Sequence, residues 1–94
     1  MDNNADVQGD TLQEYPCDYQ FKAFGPAAAP DDFFRRVHSA VDSVVPLALD
    51  ACKQRLSAKG SYMCVSVLVR LHNEEQRQNI YRALQQLEGL KYLL

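Results

Sequence analysis

The residues able to do chemistry are few and far apart. Cysteines stand at positions 17, 52 and 64 and histidines at 38 and 72. Zinc needs about four converging thiolates and imidazoles, usually announced by CxxC-type spacings, and no such spacing occurs. The thiols read as small reduced side chains in or near strands, with Cys17 the best placed for reactivity because it precedes the core. A cysteine nucleophile also needs a base and oxyanion donors, and neither His38 nor His72 sits in a motif that supplies them. Glu74 and Glu75 suit the positive end of a helix without any catalytic role. Lys59-Gly60 could touch a phosphate, but no full phosphate-binding loop surrounds it, and a hairpin turn explains the pair. These residues predict no enzyme, no metal site and no cofactor.

Length and composition set the scale on which such residues can be positioned. The chain has 94 residues, 47% of them apolar and 23% charged, with a formal net charge of −2. That is one small domain without a global field for nucleic acid or membrane. Residues 1–14 carry Asp2, Asp6, Asp10 and Glu14 and no Lys or Arg, and read as a disordered acidic tail outside a folded part, 15–94. A secretory signal needs a basic start and an apolar run, and neither is present. The longest apolar run is too short for a bilayer. The expected location is cytoplasmic.

Periodicity then gives the elements. Over 15–25, Tyr19, Phe21 and Ala23 alternate with Gln20, Lys22 and Phe24, the period of a strand, and Gly25-Pro26 should end it. Pro30, Asp31 and Asp32 open a helix with an apolar stripe from Phe33 and Phe34 through Val37, Ala40 and Val41 to Val44 and Val45. Pro46 should stop it. Residues 49–57 read as an edge strand guarded by Lys53 and Arg55. A tight reversal at Ala58-Lys59-Gly60 leads into 61–71, where Met63, Val65, Val67, Val69 and Leu71 share one face. Asn73 caps a second helix with Gln76 three residues on, and Ile80, Tyr81, Ala83, Leu84 and Leu87 form its stripe. Gly89 ends that helix, and the final GLKYLL is a short strand.

The order β–α–β–β–α–β, with a hairpin at the centre, predicts an α+β domain. This is the ferredoxin-like plait, a four-stranded antiparallel sheet with two helices on one face. Two segments also resemble a known family. Glu14-Tyr15-Pro16 with Tyr19-x-Phe21-Lys22-x-Phe24-Gly25 looks like the opening of the small bacterial YbeD-like family. Ser57-Ala58-Lys59-Gly60-Ser61-Tyr62 followed by Val65-Ser66-Val67 is similar to its central segment. The likeness spans roughly residues 14–94. It implies a domain of unknown function with a fold similar to ACT-type regulatory modules, and a genome context near lipoate-attachment enzymes. It brings no catalytic residues.

Function is then expected on the sheet face that the helices leave bare. Gln20, Lys22 and Phe24 from the first strand should lie there with Tyr62, Cys64, Ser66, Leu68 and Arg70 from the third. Lys53, Arg55, Lys91 and Leu93 should join them. The candidate ligand or partner residues are Lys22, Phe24, Gly25, Pro26, Lys59, Gly60, Tyr62 and Arg70, including the Gly25–Pro30 loop, where ACT-type folds hold ligands. An RNA-recognition motif would need aromatics where Ser61 and Met63 stand, which argues against nucleic acid; single-strand binding by the Phe24/Tyr62 face is the alternative reading. Sheet-to-sheet or edge-to-edge homodimers are both open. The leading expectation is a non-catalytic cytosolic module that senses a small molecule or docks on a protein partner.

Overall fold

The computed structural model describes residues 14–94; the expected acidic tail, apart from Glu14, lies outside the described residues. Strand β1 runs Cys17–Pro26, helix α1 Pro30–Asp42, β2 Cys52–Leu56 after a single 3-10 turn, Leu49–Ala51, and β3 Tyr62–Leu71. Helix α2 then covers Glu74–Gln85 and β4 Tyr92–Leu93. All strand pairs are antiparallel, and the sheet order is β2-β3-β1-β4. This is the ferredoxin-like plait, with both predicted helices and all four predicted strands present.

The core lies between the helices and one sheet face. Phe21 and Ala23 of β1 and Met63, Val65, Val67, Val69 and Leu71 of β3 are buried against Phe33, Val37 and Val41 of α1 and Ile80 and Leu84 of α2. At roughly 1.5–3 kcal/mol for each large apolar side chain removed from water, this layer is what holds the helices down. Among the described residues no polar or charged side chain is buried, so the core contains no internal ionic site.

Three boundaries differ from expectation. Helix α1 ends at Asp42, not at Pro46. Proline disfavours the α region for the residue before it, here Val45, and the chain leaves the helix a turn early. The Asp42 carboxylate then accepts from the Leu47 N–H at 2.8 Å, and His38 Nε2 lies 2.7 Å from the Leu47 carbonyl. A carbonyl can only accept, so that nitrogen carries the proton, and His38 is a tether for this connection. Strand β1 continues through Gly25 and Pro26, which pair with Met63 and Tyr62. The edge strand is shorter than the 49–57 expected.

Local signals elsewhere act as read. Asn73 Oδ1 accepts from the Gln76 N–H at 2.8 Å, and Gln76 Oε1 accepts from the His72 N–H at 2.7 Å, a reciprocal cap at the start of α2. In the central hairpin the Gly60 N–H donates to the Ser57 carbonyl at 2.9 Å, and Gly60 adopts φ +74°. Glycine reaches that region without a Cβ penalty, which is what the reversal needs.

Candidate functional site

Cross-strand register decides which side chains share the bare face. Lys22, Ser66 and Lys53 form one row across β1, β3 and β2; Phe24, Cys64 and Arg55 form the next. Gln20 pairs with Leu68, Pro26 with Tyr62, and Asp18 with Arg70 at the far end. On the other side of β1, Phe24 pairs with Tyr92 and Ala23 with Leu93. Leu93 therefore turns toward the core, and Tyr92 takes the place on the open face expected for it. Leu94 exchanges both backbone hydrogen bonds with Lys22, at 3.0 and 2.8 Å, and so also shares that face.

Two unlike areas result. At one end Phe24, Tyr62, Lys91 and Tyr92 line an apolar depression of about 370 Å³. The Phe24 and Tyr92 rings meet edge-on, with centroids 5.7 Å apart and planes at 62°. Beside it Gln20, Lys22, Lys53, Gln54, Arg55, Cys64 and Ser66 line a shallow polar depression of about 380 Å³. Among the described residues Lys22, Lys53 and Arg55 form no ion pair. Four large apolar side chains are exposed on this face: Tyr62 at 44%, Leu68 at 53%, Tyr92 at 59% and Leu94 at 57%. Tyr62 and Tyr92 border the apolar depression, whereas Leu68 lies beyond the cationic row.

The sequence-predicted candidates divide accordingly. Lys22, Phe24 and Tyr62 share the open face, Lys22 in the polar depression and Phe24 and Tyr62 in the apolar one. Gly25 does not: it lies within β1 and is buried, and a Cβ there would fall among the ring atoms of Phe33. The expected Gly25–Pro30 loop shrinks to residues 27–29, and its inner side is filled by Phe33. Pro26 closes the strand beside Tyr62. The Gly60 N–H is spent on its own turn, so it offers no donor to a ligand, while Lys59 is exposed at the hairpin tip. Arg70 stands at the opposite end of the sheet, where its guanidinium meets Asp18 at 3.2 Å. Tyr92 was not among the candidates, because a strand two residues long offers no alternation from which its side could be read.

Charge is segregated between the layers. The sheet and its hairpin carry Lys22, Lys53, Arg55, Lys59, Arg70 and Lys91 against Asp18 alone among the described residues. The helices and their connections hold Asp31, Asp32, Asp42, Asp50, Glu74, Glu75 and Glu88 against Arg35, Arg36, Arg77 and Arg82. One broad side is thus cationic and the other anionic.

The titratable groups with altered acidity lie away from the open face. Glu74 accepts from Arg77 Nε at 3.0 and 3.1 Å and from the Tyr15 hydroxyl. Arg77 and then Tyr15 hold its carboxyl down at about 2, while loss of water and then the Glu74 carboxylate push the Tyr15 phenol up to about 12. This cluster fastens the chain before β1 to α2. Burial raises the Cys52 thiol, which disfavours the nucleophilic thiolate. Cys17 is half-buried on the core side of β1, and Cys64 is half-buried on the open face, 4.0 Å from Ser66 Oγ. Among the described residues no three His, Cys, Asp or Glu side chains converge as a metal site would require, and no helix is long and apolar enough to cross a membrane.

The plait with one bare, cationic and aromatic face defines a small ferredoxin-like α+β domain. Residues 10–94 match the family model described as protein of unknown function (DUF493), and the chain belongs to that family. A UPF0250 protein of Shewanella piezotolerans is 34% identical over 95% of this chain and 98% of its own length. One from Janthinobacterium is 36% identical over 90% and 92%. The likeness to the YbeD-like family therefore holds. The solution structure of HP0495 from Helicobacter pylori superposes with a TM-score of 0.65, covering 97% of this chain and 98% of that one at 14% identity, a likeness of fold.

Proposed function

We propose that this protein is a non-catalytic cytoplasmic binding module that docks a partner protein on its open sheet face. The observation that carries the reading is the pairing, on one unroofed face, of cations without ion-pair partners and an apolar depression rimmed by exposed aromatics. A merely solvated sheet face would be polar throughout, with scattered apolar groups. The alternative docking place, the loop before α1, loses support because Phe33 fills the space behind Gly25. A regulatory role like that of ACT-type modules would work through the same face.

Capture from a native bacterial lysate, run in parallel with the wild-type chain and a Lys53→Glu/Tyr62→Ala variant, tests the reading. Both positions are exposed, so the variant should fold. At least one protein should be retained by the wild type and lost with the variant; identical profiles would sink the proposal. A thermal-shift screen with amino acids and lipoic acid, a carboxylate on an apolar stem suggested by the family's genome context, covers small-molecule sensing. Stabilisation there without face-dependent capture would replace docking with sensing.

A further inference from the structure

The open face presents two chemistries at a fixed separation. The Lys22–Ser66–Lys53 row, with Arg55 beside it, is a cationic floor, and the face's one described acidic side chain, Asp18, is already held by Arg70. Four residues further along β1, Pro26 and Tyr62 mark the apolar end. Phe24 and Tyr92, only two residues along, already line it, so at about 3.3 Å per strand residue the apolar depression lies ~7–13 Å from the cationic row.

Resting on the docking reading above, we infer that the occupant is an acidic peptide segment of the partner protein. Its carboxylates lie over the Lys22–Ser66–Lys53 row, and an aromatic or large aliphatic side chain fills the Phe24–Tyr62–Tyr92 depression. Those two anchors are about two to four residues apart in an extended segment and about five to nine in a helical one. Charge complementarity selects the acidic part: cations that lack partners gain most from carboxylates and reject basic segments. The depression selects the apolar part, because an anchor in a recess is desolvated on all sides. A second copy of this chain is a poor occupant, since face-to-face pairing would oppose like charges. Single-stranded nucleic acid fits less well than a peptide. Ser61 and Met63 stand where an RNA-recognition motif places its stacking aromatics.

Peptide display on the full 94-residue chain, counter-selected on a Lys22→Glu/Lys53→Glu/Arg55→Glu variant, tests this directly. Circular dichroism checks the variant's fold, and the single exposed Lys53→Glu substitution serves if the triple change unfolds. Selected peptides should carry clustered Asp or Glu at the stated spacing from an aromatic or leucine. Their affinity should fall roughly tenfold or more in the variant and in 0.5 M salt. Tyr62→Ala should weaken them without altering that salt response. Peptides without acid enrichment, or peptides that bind the variant equally, overturn the inference. So does a twelve-residue oligothymidylate that binds more tightly than the peptides at physiological salt. If capture is face-dependent while selected peptides lack carboxylates, the acidic occupant is wrong and the docking reading stands.

Discussion

A side chain as small as methyl at position 25 would land among three ring atoms of Phe33, whose own exposure is 0%. The ring cannot swing outward freely: it is packed in the core, and the Arg36 guanidinium lies 5.5 Å from its centroid. Arg36 in turn donates to the Glu88 carbonyl at 2.7 Å, so contacts run from Gly25 through Phe33 to the turn after α2. Overpacking of this kind costs about 1–3 kcal/mol. Urea denaturation of Gly25→Ala should show a loss in that range, and adding Phe33→Leu should recover part of it if the ring is the obstacle. The Glu74 cluster makes a second prediction at this scale. Its carboxyl titrates at about 2 when folded against an ordinary 4.5, so its contribution is complete above pH 4.5 and disappears as pH falls toward 2. The side chain is 40% exposed, and solvent screening limits the contribution to about 1 kcal/mol. Glu74→Gln should therefore lower stability at pH 7 by roughly that amount and flatten the acid limb of a stability-versus-pH curve. The Tyr15 phenol acts at the other end, its contribution complete below pH 10 and lost as pH rises toward 12.

Elements here form for reasons that can be perturbed one at a time. Asn73 supplies the N-cap of α2, and Asn73→Ala should cost about 1 kcal/mol in thermal or chemical unfolding while leaving the open face intact. The cap, both helical stripes except Tyr81, which faces solvent, and the long β3 alternation were legible in sequence because each is a local pattern with a single solution. The plait followed from element order. What escaped were places where a distant contact overrides local grammar. Gly25-Pro26 has the composition of a strand end, yet the pairing of β1 with β3 continues through it because Phe33 needs the space that glycine leaves. Val44 and Val45 extend the helical stripe of α1 and still pack on the core, but from a turn that Pro46 and the Asp42–Leu47 hydrogen bond impose. The last strand was the least readable. With two residues, its facing is set by pairing with β1, which brought Tyr92 rather than Leu93 to the candidate site. Lys22, Phe24 and Tyr62 were found because long strands fix the parity of every residue on them.

At the scale of the whole molecule, the two layers are oppositely charged although the totals nearly cancel. An acidic partner approaching the sheet side meets an attractive field, and the helical side repels it, so orientation is favoured before contact. Association rates should therefore fall as salt rises, with dissociation changing less, a distinction that surface plasmon resonance across a salt series reads directly. The same lopsided charge has a consequence for simple handling. With a sequence isoelectric point near 5.5, the chain is formally an anion at neutral pH and would be expected to pass through a sulfonate column unretarded. Instead it should linger on that negatively charged resin at pH 7 and low salt, held by one flank, and the Lys22→Glu/Lys53→Glu/Arg55→Glu variant should emerge in the void.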